Sequence, residues 1–422
     1  MTYEIFVRNL KNWCLSHNCE GIRVKIQKIA DICYYSIILN IISIMSFSYK
    51  EETLWIFYGT TVFSVALMLL YIVIKQNTIL IGKFHFALIT WLGWVGASVL
   101  WSLHSDTSLV MVGTVAQLVV YSLIMYEYFV QSNISIDKLV NAIIIGVVGM
   151  GIYTLYSYSL TGFFTMFNSG FRVGAEINQE NTYGFYAGMG VIAGLGQYFK
   201  TKRISNIIVI IISLVMVLAS GSRAAIIDCV IGIIGLIIIE YGFRKARKTI
   251  MAFIFAGLAV YIMFTYFDDM TIVRRLDTFS NLFYSTGVAD NSTTTRLGMI
   301  QYGLEQFIYR PIQGYGINNF RVLYQQATGW DTYSHNNFVE LLVDVGIVGF
   351  SLYYYIYYII LRQAKKLSVG TTTIFVLILI TIVDGVFGPN YYEKSLYIIF
   401  AMGYYSTLSK KQKFNDKKNS VK

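Results

Sequence analysis

Residues 204–241 have the sequence ISNIIVIIISLVMVLASGSRAAIIDCVIGIIGLIIIEY, in which Gly221-Ser222-Arg223 separates two apolar runs. A helix needs about 20 residues to cross the hydrocarbon core of a membrane. The first run is short for that length and the second is close to it. The stretch therefore predicts two consecutive membrane helices with a polar break between them.

Similar apolar runs fill most of the chain. Of its 422 residues, 56% are hydrophobic and 13% are charged, whereas a soluble domain is about 25% charged. Mean hydropathy is +0.57. We therefore predict an all-α polytopic membrane protein with about twelve transmembrane helices. The runs lie at about 30–48, 53–74, 84–103, 108–130, 139–160, 182–199, 204–220, 223–241, 249–267, 337–361, 370–388 and 391–408.

The basic residues predict the orientation of these helices. If the N-terminus is cytoplasmic, most of the 33 Lys and Arg residues fall on the inner side, which is the positive-inside pattern. Both termini are then cytoplasmic, and the net charge of +10 reflects membrane topology, with no nucleic-acid partner implied. The predicted parts are a cytoplasmic N-terminal segment (1–29), transmembrane helices 1–9 (30–267), an extracytoplasmic loop (268–336), transmembrane helices 10–12 (337–408) and a basic cytoplasmic tail (409–422).

The long loop contains a further predicted helix. Residues 296–309 (RLGMIQYGLEQFIY) begin at Arg296, and Pro311 ends the segment. We expect this helix to lie on the outer surface, because apolar residues recur on one face at helical spacing. These residues are Leu297, Ile300, Leu304, Phe307 and Ile308.

The basic residues left on the predicted outer side are mostly Arg, whereas Lys predominates inside. The planar guanidinium fits phosphate oxygens two at a time. The alternative is that some of these arginines pair with loop carboxylates, and Arg274, Arg275 and Arg321 fit either role. The outer basic residues are Lys50, Arg172, Arg223, Arg274, Arg275, Arg296, Arg310, Arg321 and Lys394, and the loop carboxylates include Asp268, Asp269, Asp277 and Asp331.

Three polar segments, all predicted on the outer side, could carry chemistry. They are 171–184 (FRVGAEINQENTYG), 220–225 (SGSRAA) and 295–340, which includes RPIQGYGINNF and SHNNFVE. Glycines in the third segment let the backbone come close to a ligand. A helix N-terminus with neighbouring Arg is a natural anion site.

The order, spacing and sidedness of these segments resemble the O-antigen ligase and polymerase superfamily. The resemblance rests on GSRAA, FRVGAEINQENTYG, PIQGYGINNF and SHNNFVELLVDVGIVG, and covers about 170–350 by motif. It implies an integral membrane glycosyltransferase of the GT-C type. Such enzymes use polyprenyl-diphosphate-linked glycans on the outer face of the bacterial cytoplasmic membrane.

The resemblance also implies roles for single residues. Arg223 and Arg296 match the arginines that hold the lipid-linked diphosphate. His335 matches a histidine near the acceptor or the leaving diphosphate. Arg172 and Asn181 match a family motif at the start of a helix. Gly314 and Gly316 match the turn that follows the surface helix in the family.

Other candidates have structural alternatives beside the functional one. Asp228 is an intramembrane carboxylate, which is a functional candidate by default, but it could equally pair with a neighbouring helix. Glu340 and Asp344 follow His335 at helical spacing and could orient it. The predicted catalytic residues are Arg223, Arg296 and His335. The predicted substrate-binding residues are Arg172, Asn181, Gly314, Gly316, Arg321, Asn336, Glu340 and Asp228.

These residues predict a polysaccharide polymerase that joins lipid-linked repeat units by inverting displacement. Two arginines can neutralise a diphosphate leaving group, so we expect neither a metal nor a cofactor. The close alternative is a ligase that transfers a finished glycan to another acceptor. A flippase for the lipid-linked unit is the alternative of another class, although no two-fold internal repeat is visible. The expected partners are the glycan donor, the acceptor, the bilayer and other polysaccharide-assembly membrane proteins.

Overall fold

The protein is described here by a computed structural model that covers residues 19–75, 79, 81–169, 171–242, 291–362 and 369–419. This part of the chain is helical and contains no strand. Its helices are α1 (Cys19–Phe47), α2 (Leu54–Lys75), α3 (Lys83–Ala97), α4 (Ser105–Ser132), α5 (Ile136–Tyr158), α6 (Leu160–Ser169), α7 (Glu180–Thr201), α8 (Ile204–Ser220), α9 (Arg223–Tyr241), α10 (Asn291–Tyr309), α11 (Phe320–Thr328), α12 (Asn337–Leu361), α13 (Val369–Asp384) and α14 (Lys394–Asn419).

Seven of the described helical segments are long and apolar enough to cross a membrane. They are Ile26–Phe47, Glu51–Lys75, Lys83–Trp101, Ser105–Ser132, Ile136–Tyr158, Arg223–Tyr241 and Asn337–Leu361, and Ile204–Ser220 and Gly370–Asp384 are shorter apolar helices. Every apolar run predicted within the described residues coincides with a helix. The run 249–267, the loop residues 268–290 and Arg274 and Arg275 lie outside the described residues. The count of twelve spans and the topology remain predictions.

Glycines bring α7 close to its neighbours at the centre of the bundle. Helix α7 packs against α5, α8, α9 and α13. A Cβ atom on Gly184 would lie 2.5 Å from Ser220 Oγ, and one on Gly196 would lie 2.0 Å from Thr373 Oγ1. Small residues at such contacts let membrane helices approach closely. The N-terminus of α7 and the turn between α8 and α9 are thereby held side by side.

Helix α10 is present, but its orientation differs from the predicted one. It begins at Asn291, so Arg296 lies within the helix and not at its start. Its packed side includes Met299 and Gly303, which contact α12. The predicted apolar face is divided, since Ile308 is 73% exposed and Leu304 is 44% exposed. The spacing of the apolar residues correctly predicted a helix, but it did not predict which side of the helix packs against the rest of the protein.

The last two apolar runs end differently from the prediction. The run predicted at 370–388 is helical only to Asp384, and the run predicted at 391–408 becomes helical at Lys394. Residues 385–393 form a non-helical connection, which we call the C-terminal loop. Non-helical backbone at the depth of a membrane is tolerated where it is buried in protein or lines a cavity. This loop does line a cavity, described next.

Candidate functional site

A cavity of about 910 Å³ lies where the three polar segments meet. Arg172, Asn181, Arg223 and Arg296 all line it, although they come from different parts of the chain. Asn178, Gln179, Gly221, Ser222, Tyr333 and much of the C-terminal loop complete the wall. The arrangement concentrates three guanidinium groups around one space, which suits an anionic ligand.

Arg172 is fixed in place by two hydrogen bonds. Its Nε donates to the carbonyl of Ser220 at 2.9 Å, and its Nη2 donates to Asn181 Oδ1 at 2.7 Å. One bond ties the loop to the end of α8 and the other ties it to the start of α7. Burial lowers the pKa of Arg172 from its ordinary value, but a guanidinium remains protonated in proteins. Arg172 therefore places a fixed positive charge in the wall.

The turn before α9 places Arg223 at a helix N-terminus. Gly221 ends α8 with a φ of 59°, in the left-handed region that favours glycine. Ser222 then caps α9, because its side chain accepts a hydrogen bond from the Ala225 N–H at 3.3 Å. Gly221, Ser222 and Arg223 all line the cavity. The partial positive charge of the helix N-terminus thus adds to that of the side chain.

His335 lies next to the cavity, not in its lining. Its ring centroid is 4.3 Å from that of Tyr333, which does line the cavity. Burial and the nearby positive charge of Arg296 lower the pKa of His335 to about 4. The imidazole is therefore neutral at physiological pH. Its backbone has a φ of 55°, which is uncommon for a residue other than glycine and is often found at functional sites.

The residues around His335 explain how this backbone is held. Glu340 is buried, and its carboxylate accepts a hydrogen bond from the Ser334 N–H at 2.7 Å. Asn336 caps α12 by accepting from the N–H groups of Phe338 and Val339, both at 3.0 Å. Glu340 and Asn336 thus fix the residues on either side of His335. Neither is among the residues that line the cavity.

The 311–320 turn packs against α12. The residues that join them include Asp344, Gly314 and Gly316. The Asp344 carboxylate accepts from the N–H groups of Asn318, Asn319 and Phe320 at 2.7, 3.0 and 2.7 Å. The Gly316 N–H in turn donates to the carbonyl of Asp344 at 2.8 Å. Gly314 packs closely against the α12 backbone, because a Cβ atom there would lie 2.5 Å from the carbonyl oxygens of Val343 and Asp344, whereas one on Gly316 would lie 2.6 Å from Ser102 Cβ. The Asp344 carboxylate therefore holds the 311–320 turn and is not bonded to His335.

Two further predicted residues lie outside the lining. Arg321 contacts Asp331 through its Nε at 2.6 Å, which is the loop-carboxylate alternative left open by the sequence. That hydrogen bond raises the pKa of Arg321. Asp228 is 1% exposed. Neither of its carboxylate oxygens has a hydrogen-bond partner among the described residues.

The sequence analysis missed the contribution of the C-terminal loop. Asp384, Asn390, Tyr392, Glu393 and Lys394 line the cavity. The Lys394 ammonium donates to the carbonyl of Ser48 at 3.2 Å. A polar cluster, GPNYYEK at 388–394, was the available signal. The residues that flank this cluster are apolar, so the cluster merges with the two neighbouring membrane runs in the sequence pattern.

The charges around the cavity favour a large anion over a metal ion. Among the described residues, no group of three or more His, Cys, Asp or Glu side chains could hold a metal ion. The lining instead contains Arg172, Arg223, Arg296 and Lys394, with Asp384 and Glu393 on the wall formed by the C-terminal loop. Such a site can bind a diphosphate through its arginines and still present carboxylates to a second molecule.

The fold and the site together define an all-helical integral membrane protein with a cationic cavity. Residues 208–354 match the family model described as O-antigen ligase. This match confirms the predicted resemblance to the O-antigen ligase/polymerase superfamily over these residues. None of the curated proteins compared with the chain matches it. The matched residues include Arg223, Arg296 and His335, but not Arg172, Asn181 or the C-terminal loop.

Proposed function

We propose that the protein is a polysaccharide polymerase that joins polyprenyl-diphosphate-linked repeat units on the outer face of the bacterial cytoplasmic membrane. One observation supports this most strongly. Arg172, Arg223 and Arg296 come from three separate segments and line one cavity beside apolar helices. A lipid-linked diphosphate needs both features, a cationic site for its phosphates and a hydrocarbon phase for its chain.

The proposed reaction is a direct displacement at the anomeric carbon of the donor sugar. The bond from this carbon to the diphosphate breaks, and the electron pair leaves with the diphosphate. An acceptor hydroxyl forms the new glycosidic bond and gives up its proton. The arginines stabilise the negative charge that develops on the departing diphosphate. Because a single displacement occurs, the product linkage has the anomeric configuration opposite to that of the donor.

His335 fits a polar role beside the diphosphate better than that of a further cation added to the three arginines. With a pKa of about 4 it is neutral, and a neutral imidazole both donates and accepts a hydrogen bond. Its proximity to Arg296 places it on the donor side of the cavity. We propose that it orients the leaving diphosphate or the acceptor hydroxyl near that side. Hydrogen bonds at Ser334 and Asn336 hold the backbone on both sides of His335 and so keep the imidazole ring in position.

Ligation is the second candidate, because the family model that matches is described as O-antigen ligase. A ligase would use the same donor site, but it would transfer a finished glycan to a different acceptor. The cavity residues that bind diphosphate are common to both reactions. The two functions therefore differ in the acceptor and not in the arginines.

The test is the length of surface polysaccharide in cells from which the gene is deleted and then restored. We expect the deletion to leave single repeat units on the cell surface. Complementation with wild type should restore long chains, whereas Arg223→Ala or Arg296→Ala should not. Arg310→Ala is the matched control, because Arg310 stacks on Tyr315 with its guanidinium carbon 4.8 Å from the ring centroid and does not line the cavity.

The other outcomes decide between the alternatives. Full-length polymer accumulating on its lipid carrier would show that the reaction is ligation. Intact lipid-linked units accumulating on the cytoplasmic side would identify a flippase and contradict the enzyme proposal.

A further inference from the structure

The C-terminal loop forms a second wall of the cavity with its own chemistry. This wall includes Asp384 at the end of α13, Glu393 and Lys394. It lies outside the residues matched by the family model, 208–354. Its carboxylates would repel a diphosphate, so this side of the cavity is poorly suited to the phosphates. It is better suited to a neutral, hydroxyl-bearing molecule.

Asn337 connects this wall to the turn that contains His335. The Asn337 side chain is buried, and its Oδ1 accepts from the N–H groups of Asn390 and Tyr391 at 2.9 and 3.1 Å. The Asn337 N–H donates to the carbonyl of Gly385 at 2.7 Å. The start of α12 therefore fixes both ends of the C-terminal loop. The loop and the His335 turn are one hydrogen-bonded unit.

Asp384 is held at the cavity wall by the same unit. Asn390 Nδ2 donates to Asp384 Oδ2 at 3.3 Å and to the carbonyl of Thr381 at 2.6 Å. Asp384, Thr381 and Asn390 all line the cavity. A carboxylate oriented in this way has a hydrogen-bond donor on one oxygen. It can offer the other oxygen to a ligand hydroxyl.

Asp228 adds a second carboxyl group beside Asp384. The two side chains interact electrostatically, and α9 packs against α13. Asp228 is 1% exposed and has no hydrogen-bond partner among the described residues. It follows Ala224, which lines the cavity, by four residues, so these two residues share one side of α9. The fold thus retains two neighbouring carboxyl groups, Asp228 buried and Asp384 on the cavity wall, although membrane proteins rarely keep such groups without a function.

We propose that Asp384 is the general base of the transferase reaction and that the C-terminal loop binds the acceptor glycan. This inference rests on the proposed function. As the acceptor oxygen forms its bond to the anomeric carbon, its proton passes to the Asp384 carboxylate, and the diphosphate leaves with the bonding electron pair. His335 is a poorer candidate for this step because it lies beside Arg296. Glu393 is a poorer one because it lies beside Lys394.

The experiment compares Asp384→Asn, Asp384→Glu and the control Glu305→Gln in the full-length protein purified in detergent. Binding is measured with a polyprenyl diphosphate that carries no sugar. Turnover is measured as elongation of single-unit lipid-linked donors extracted from the deletion strain. We expect Asp384→Asn to bind the probe as wild type does and to lose about 10²–10⁴-fold in turnover, the usual contribution of a general base. Asp384→Glu should recover part of the rate, and Glu305→Gln should remain active, because Glu305 is an exposed residue of α10 outside the cavity lining.

The binding readout separates a catalytic role from a folding defect, since an unfolded variant would not bind the probe. Normal turnover by Asp384→Asn would overturn the inference. If wild type binds the probe but does not elongate the donor, the proposed function itself fails, and the role of Asp384 fails with it.

Discussion

The carboxylate of Glu340 accepts a hydrogen bond from the backbone N–H of Ser334 at 2.7 Å, and this bond ties the residue before His335 to the first turn of α12. Glu340 is 1% exposed. Its role is therefore to position the His335 backbone, not to contact substrate directly. Because Asn337 on the same turn holds the C-terminal loop, the start of α12 organises both sides of the cavity.

Replacing Glu340 should loosen this arrangement. Glu340→Ala leaves the buried Ser334 N–H without its partner, which costs about 1–3 kcal/mol. Glu340→Gln keeps an amide oxygen that can accept the same bond, so its loss should be smaller. Thermal unfolding of both variants in detergent measures the difference. Equal stability of the alanine variant and wild type would show that the bond does not hold the turn.

The pKa of His335 predicts how stability depends on pH. The group binds its proton near pH 4 when folded and near pH 6.5 when unfolded. Between these values the unfolded chain holds more protons, so this group favours unfolding increasingly as pH falls from 6.5 to 4. His335→Asn removes the effect, and Asn tolerates the left-handed backbone at this position.

The measurement is the melting temperature of wild type and His335→Asn at pH 7 and at pH 5. We expect wild type to lose more on acidification than the variant does. An equal loss in both would show that His335 is not buried beside a positive charge.

The glycines of the 311–320 turn should resist substitution. Gly314 has a φ of 69°, and a Cβ atom there would lie 2.5 Å from the carbonyl oxygens of Val343 and Asp344. Gly314→Ala should lower the free energy of unfolding by at least about 1–3 kcal/mol. Gly298→Ala is the matched control, because Gly298 is helical and has no atom within 4 Å of its added Cβ. Alanine is favoured in a helix by about 0.5–1 kcal/mol, so the control should be neutral or slightly stabilised.

Arg296 and Arg223 should tolerate lysine better than alanine, but neither change should preserve full activity. Lysine keeps the charge and loses the two-point contact with phosphate oxygens. Loss of one stabilising donor costs about 10²–10³-fold in rate, and we expect the alanine variants to reach this range. The lysine variants should fall between them and wild type. Initial rates of donor elongation, compared with Arg310→Ala, measure the effect. Full activity in Arg296→Ala would remove that residue from the site.

The sequence predicted the helices well because apolar runs of membrane length leave few alternatives. Arg172, Asn181, Arg223 and Arg296, which come from segments predicted on the same side of the membrane, line one cavity. The packed side of α10 could not be predicted, because this helix has apolar residues on two sides and periodicity does not say which side meets the protein. The predicted face therefore included Ile308, which is 73% exposed.

The C-terminal loop was missed for a different physical reason. Val386, Phe387 and Tyr391 give the loop the composition of a membrane segment. Its Asn390 and Tyr391 N–H groups donate to Asn337, which lies about 50 residues earlier in the chain. Such a long-range partner is not visible in a local pattern.

The central claim is that the arginine cavity transfers a glycan from a lipid diphosphate. The most direct measurement reconstitutes the purified protein in liposomes with single-unit lipid-linked donors extracted from the deletion strain. Wild type should convert them into a ladder of longer lipid-linked glycans and release free polyprenyl diphosphate, and Arg296→Ala should not. Donors that remain single units, with no polyprenyl diphosphate released by wild type, would contradict the claim.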